Sequence, residues 1–454
     1  MPKKTPSFER DLARRGLSRR DFLRLASAGT ATALLAPLLE GCAKNPVTGE
    51  SQLMLLSPAQ EIALDKENSP HQFSADYGAV QDAHLNTYVS QVGMSIAKVS
   101  HRPDMPYSFR AVNATYANAY AFPGGSIAAT RGILLKLDNE AELAALLGHE
   151  IGHVNYRHTA ARMSQGVLIS AVALGATAYL SSKSDSRVAP LITGLGAIGS
   201  GALLAYYSRS DERQADAYGL EKSTQIGYGT GGQVGLMNVL VGMSKTEPSV
   251  IERMFASHPM SSERYETAVN EARTRYAFAA DQPLFRERYM DNTVHLRRQR
   301  ATVEAAQHGE EAMRRNDVGE ARRRFGQALA AGPDDYAVLV MMANTLVQAE
   351  DYPQARHYAA RAKQVYPAEA QAWHADGVSR LMSGDYAGAW QDFDHYDRLL
   401  PGNPQTEFLK GLSLEAQGDV KGSAESYARY LKQVRQGQQA KYAYQRLRDW
   451  GYVR

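Results

Sequence analysis

Over its last 150 or so residues the chain repeats itself every 34 positions, and this period restricts the fold more than any other feature of the sequence. Pro333, Pro367 and Pro401 stand at that interval, as do Asp317, Asp351, Asp385 and Asp419. Ala321, Ala355 and Ala389 share a phase with Ser423, and Gly309, Gly377 and Gly411 share one with Ala343. Phe325, Phe393 and Tyr427 occupy a further common phase. Small and aromatic residues at fixed places in such a unit describe a helix pair that buries its apolar face only against its neighbours. Three or four units then stack into a curved solenoid whose groove binds partners. Nothing in this stretch has the makings of a catalytic centre.

The chemistry lies upstream, on a helix expected over Asn139 to His158. Leu143, Leu146, Leu147, Ile151 and Val154 recur at helical spacing, and Asn139 with Glu142 reads as a capping pair. The run His149-Glu150-Ile151-Gly152-His153 sits on this helix. Residues four apart stand one above the other, so His149 and His153 present two imidazoles to one point. Two such nitrogens make half of a tetrahedral zinc site. Glu150 is near enough to take a proton from a metal-bound water without ligating, which is the physical content of the His-Glu-x-x-His pattern. Such a site needs a third ligand, often a glutamate from a later helix, and an open position for water. Glu212 fits that need in the run Ser208 to Asp216, and Asp216, four residues on, fits a carboxylate that orients a ligand histidine. His149, His153 and Glu212 form the one coherent ligand set, so one zinc per chain is expected.

Around this helix, Ser57–Asn68 and Gln81–Ser100 read as helices, and Tyr107–Val112, Ala119–Phe122 and Ser126–Thr130 as strands. Asn118–Gly125 is a candidate edge for an extended peptide substrate. Gly166–Leu180 and Val188–Tyr207 are apolar runs, read as helices buried in protein or dipping into a membrane surface. At the start, Ser18-Arg19-Arg20-Asp21-Phe22-Leu23 and the apolar stretch Ala26–Leu39 form an export signal resembling the twin-arginine type. Leu39-Glu40-Gly41-Cys42 resembles a lipobox, with Cys42 as lipidation site. As the chain's sole cysteine, it leaves no internal disulfide framework. A net charge of +3 is too small to argue for nucleic acid.

His149 through His158, with Ser208-Arg209, Glu212 and Ala215-Asp216, resemble the gluzincin family of the HtpX and CAAX prenyl endopeptidases. Asn45-Pro46-Val47-Thr48-Gly49 and Ala59-Gln60-Glu61 are similar to its exported bacterial branch, and the resemblance runs from about Asn45 to Phe278. It implies zinc held by His149, His153 and Glu212, with Glu150 as base. Arg264, in the family-like stretch that begins at His258-Pro259, is then a candidate oxyanion or substrate contact. Pro259 holds His258 extended and out of helix, so its ring could enter the fourth zinc position and latch the enzyme off. The 34-residue period is the tetratricopeptide signature.

The expected fold is therefore mainly α: an α+β zincin peptidase with a small sheet, followed by an all-α tetratricopeptide solenoid. The expected divisions are a signal peptide over 1–41, a peptidase domain over 42–300 and the repeats over 301–454. The expected function is zinc endopeptidase action on envelope proteins, from a lipid anchor on the periplasmic side of the envelope, at the outer membrane. The repeats would recruit outer-membrane assembly proteins. Two alternatives are an assembly chaperone or scaffold with rare or latched proteolysis, and an integral-membrane peptidase of the HtpX type.

Overall fold

The computed structural model describes residues 42–165, 207–260 and 262–453. The expected export signal, and the two apolar runs as far as residue 206, lie outside the described residues. Among the described residues no helix is long and apolar enough to cross a membrane.

The first described element is a hairpin of β1 (Cys42–Lys44) and β2 (Ser51–Leu53), with Cys42 opposite Leu53. Asn45 Oδ1 accepts from the amides of Val47 and Thr48, and Gly49 takes φ +71°, so the Asn-Pro-Val-Thr-Gly run is a tight turn. Two three-residue strands carry too little pattern to be read from sequence alone.

The peptidase region contains α1 (Pro58–Ala75), α2 (Ala83–Ala97), β3 (Ser108–Val112), β4 (Ala119–Ala121), β5 (Ser126–Thr130), α3 (Arg131–Leu134) and α4 (Glu140–Tyr156). It continues through α5 (Arg209–Gln225), α6 (Gly231–Thr246), α7 (Pro248–Ser257), α8 (Ser262–Arg273), α9 (Arg286–Asn292) and α10 (Val294–Arg298). The strands fall where alternation put them, in the order β3-β5-β4, with β3 parallel and β4 antiparallel to β5. β4 is an edge strand, as expected of Asn118–Gly125. α1 runs on through Pro70, where the sequence suggested a stop after Asn68. Burial of Ser69, Phe73 and Ser74 outweighs the hydrogen bond that proline cannot make.

α4 starts at a reciprocal cap: Asn139 Oδ1 accepts from the Glu142 amide at 3.0 Å, and Asn139 Nδ2 donates to Glu142 Oε1 at 2.9 Å. It packs against α5 with almost no side chain between. A Cβ on Gly148 would lie 2.9 Å from Gly219 Cα, and one on Gly152 would lie 3.0 Å from Ala215 Cα. This close approach carries the acidic residues of α5 up to the histidines of α4.

The repeats form helix pairs α11 (Arg300–Arg314) with α12 (Val318–Ala331), and α13 (Tyr336–Gln348) with α14 (Tyr352–Val365). Two more follow: α15 (Gln371–Met382) with α16 (Tyr386–Leu399), and α17 (Pro404–Ala416) with α18 (Val420–Gln433); α19 (Gln438–Asp449) closes the stack. The periodic aspartates Asp317, Asp351, Asp385 and Asp419 are the N-caps of each second helix. The periodic glycines make room for the periodic aromatics. A Cβ on Gly377 would lie 2.7 Å from Phe393, and Gly309 and Gly411 face Phe325 and Tyr427 in the same way. Where the second repeat has Ala343, its partner position holds Ala359, and the two share one small cluster. Gly377→Ala is therefore expected to destabilise by ~1–3 kcal/mol through overpacking. Adding Phe393→Ala, which copies the Ala343–Ala359 pair, should remove that clash, and thermal melting of the full chain compares the two.

The first repeats are not a free-standing solenoid. Tyr336 through Ala343 are all buried, leaving α13 no open groove face. Arg131, the first residue of α3, donates to both carboxylate oxygens of Asp335, at 2.5 and 2.9 Å. Gln307 donates to the Thr115 carbonyl at 2.6 Å, and Glu369 receives the hydroxyls of both Ser74 and Tyr336.

Candidate metal centre

Four elements bring their side chains to one buried point. α4 supplies His149, Glu150 and His153, α5 supplies Glu212 and Asp216, α8 supplies Arg264, and the loop after α7 supplies His258. His149, His153, Glu212 and His258 each aim one ligand atom into a group whose members lie within 4.8 Å of one another. His149 Nε2 is 3.0 Å from His153 Nε2 and 3.3 Å from His258 Nδ1. Glu212 Oε1 is 3.4 Å from His153 Nε2 and 3.0 Å from His258 Nδ1. Tetrahedral ligands at zinc–nitrogen distances of ~2.0–2.1 Å stand about 3.3 Å apart, so the spacing and the donor types both suit zinc. Three ring nitrogens converging this closely in a buried space offer a cation a ready set of donors.

His149 and Glu212 are held from behind. His149 Nδ1 lies 2.9 Å from Asp216 Oδ1, which fixes its proton there and turns Nε2 inward. Asp216 in turn accepts from Arg264 Nε at 2.7 Å and Nη2 at 2.8 Å, while Arg264 Nη1 stands 2.7 Å from Glu212 Oε2. The arginine offered by the sequence as an oxyanion contact is thus engaged by the two carboxylates of α5. Burial alone would push the Glu212 carboxyl up; the His258 and His149 rings beside it hold it well below the usual range instead. The Asp216 carboxyl is also held low, by Arg264 and His149 acting against burial.

Glu150 is different. It is fully buried, and neither carboxylate oxygen has a hydrogen-bond partner. Burial pushes its pKa up, against the His258 and His149 rings nearby. A desolvated, unpartnered carboxylate beside a metal position is a strong proton acceptor. His258 caps the C-terminus of α7, donating its amide to the Met254 carbonyl at 2.6 Å. The Tyr207 amide donates to the Ser257 carbonyl at 2.9 Å and so ties this loop to the lead-in of α5.

Sequence reasoning named every acid and base in this cluster but missed what surrounds it. Tyr207 stacks on the His153 ring at 3.7 Å between centroids. Glu61 of α1 joins Arg102 and Arg157 in a buried triad at the end of α4, and Arg102 donates to the Val154 carbonyl. The small residues Gly148, Gly152, Ala215 and Gly219, four apart on each helix, were a legible signal of close helix packing. Beside His153 and Val154 runs a narrow crevice bordered by Ala121, Phe122 and Pro123, so the candidate substrate edge adjoins the cluster.

A His-Glu-x-x-His helix with a glutamate brought by a second helix is the arrangement of a gluzincin metallopeptidase. Residues 83–272 match Peptidase family M48, and residues 312–375 match the tetratricopeptide repeat. The metalloprotease YcaL of Escherichia coli is 30% identical over 182 residues, covering 38% of this chain and 68% of its own length. The beta-barrel assembly-enhancing protease of Yersinia pestis is 27% identical over 250 residues, covering 54% of this chain and 50% of its own length. Its Escherichia coli namesake is 24% identical over 315 residues, or 63% of each chain. This chain thus spans half to under two thirds of those two longer relatives. The chain belongs to peptidase family M48.

Proposed function

We propose that the chain is a zinc metalloendopeptidase of the periplasmic cell envelope that acts on outer-membrane and other envelope proteins. In this reading the peptidase occupies 42–300 and the repeats occupy 301–454, lipid on Cys42 tethers the protein to the outer membrane, and the repeats recruit assembly partners. The observation that carries the reading is the convergence of His149, His153 and Glu212 beside a buried Glu150 with no hydrogen-bond partner. Two relatives named as beta-barrel assembly-enhancing proteases support the envelope role.

Zinc bound there supplies Lewis acidity, polarising a scissile carbonyl and lowering the pKa of a water toward ~7. Glu150 takes the proton of the attacking water and later delivers it to the leaving amine. Asp216 holds His149 in its ligating tautomer, and Arg264 fixes Asp216 and Glu212 against each other. An extended substrate adds to the β4 edge, beside the crevice at His153.

In this reading His258 would join His149, His153 and Glu212 in holding the metal at rest. Its Nδ1 stands 3.3 Å from His149 Nε2 and 3.0 Å from Glu212, and its Nε2 is 3.9 Å from Glu150. With this ring in place no water is activated, so the peptidase rests latched and opens when the loop withdraws. That geometry also favours the second reading, in which holding clients is the main duty and proteolysis is rare. A latch preferred by ~1.4 kcal/mol leaves about one molecule in ten open. His258→Ala should then cleave an unstructured peptide roughly tenfold faster, with zinc still bound. A variant no faster than wild type would reject the latch and leave His258 a substrate or catalytic group.

A further inference from the structure

His149 and His153 are backed by different chemistry, and the difference points to a residue with no assigned part in the site. Behind His149 stands the Asp216 carboxylate. Behind His153 stands another imidazole: His153 Nδ1 lies 2.9 Å from His158 Nδ1, and both rings are buried. His158 reaches that place because α4 ends on Arg157 in the left-handed conformation, at φ +60°, which turns the chain back toward its last helical turn. A non-glycine residue rarely adopts this backbone, and here buried Glu61 holds the Arg157 guanidinium at 3.0 Å.

Two Nδ1 atoms at 2.9 Å cannot both carry protons. His153 turns Nε2 toward the metal cluster, so its proton resides on Nδ1 and is donated to a bare His158 Nδ1. The His158 proton then resides on Nε2, and that atom lies 2.9 Å from Gln214 Oε1 on α5. Asp211 Oδ1 stands farther from the same nitrogen, at 3.7 Å. Every ring nitrogen of His158 and His153 is thereby assigned, and α5 orients both histidines of α4, one through Asp216 and the other through Gln214.

We propose that His158 is the positioning residue for His153, accepting its Nδ1 proton and fixing its tautomer and ring angle, with Gln214 holding His158 in turn. This rests on the reading of His153 as a zinc ligand. The contrast of a carboxylate behind one ligand and a neutral ring behind the other gives His153 the weaker push toward the metal.

The test uses the full chain, with zinc affinity measured by chelator competition and the ligand field read from the visible bands of the cobalt(II) form. His158→Phe keeps a ring against Tyr156 but offers no acceptor. It should weaken zinc roughly 10–100-fold and shift the cobalt bands. His158→Gln restores an acceptor and should recover most of the loss, which a purely structural role would not predict. Gln214→Leu leaves His158 in place without its own partner and should weaken zinc by several-fold. It serves as the deciding variant should His158→Phe fail to fold. Wild-type affinity and cobalt spectrum in folded His158→Phe, or in Gln214→Leu, would overturn the proposal while His153→Ala still loses zinc. Undiminished zinc in His153→Ala would instead overturn the ligand reading beneath it.

Discussion

Glu150→Gln is expected to lower peptide hydrolysis by about 10²–10⁴-fold, the range for loss of a general base. Zinc content should not change, because Glu150 stands beside the ligand group and is not a member of it. The amide has the carboxylate's shape but cannot accept the proton of the attacking water. Stability should hold or rise, since the substitution removes a buried charge with no hydrogen-bond partner. Measuring the pair in the His258→Ala background keeps the starting rate high enough to read the full loss. A Glu150→Gln variant that retains most of its rate would remove the base from the mechanism.

Asp335→Ala is expected to cost ~3–5 kcal/mol, the range for stripping the partner from a buried ion pair. Arg131 is 2% exposed, and its guanidinium is held by both oxygens of Asp335. The pair joins the start of α3, directly after the peptidase strand β5, to the cap of α13 in the second repeat. Denaturant unfolding should therefore show the peptidase and the first repeats loosening together. Replacing both residues, Arg131→Met with Asp335→Leu, should recover much of the loss, because an apolar pair leaves no uncompensated charge. A single substitution within about 0.5 kcal/mol of wild type would show that the two regions are held together elsewhere.

The pairing of residues on each of the two helices that meet at the candidate site was legible because helical spacing is a local property. His149 and His153 share a face wherever that helix sits, and Glu212 and Asp216 do the same on theirs. The repeats were legible for a similar reason: each periodic aspartate caps its own helix, and each periodic glycine faces an aromatic in the same repeat. The contact between α13 and the peptidase was not legible. Tyr336–Ala343 reads like any apolar repeat helix, and only the tertiary structure shows that its groove side is covered. His158 was visible as part of a motif, but its direction depends on Arg157 adopting a left-handed backbone that no pattern announces. Arg264 read from sequence as an oxyanion or substrate contact, and its engagement by Asp216 and Glu212 was not legible because those partners lie on another helix. Pro70 misled for the opposite reason, since a local helix breaker was overridden by the burial of Phe73 and its neighbours.

The central claim is that His149, His153 and Glu212 hold a zinc ion used for peptide hydrolysis. The most direct test measures zinc stoichiometry and cleavage of an unstructured peptide on the same preparations of His258→Ala, alone and combined with His149→Ala. The account predicts one zinc per chain and chelator-sensitive cleavage in the first, and loss of both in the second. A second preparation that keeps full zinc, or that cleaves as fast as the first, would contradict it.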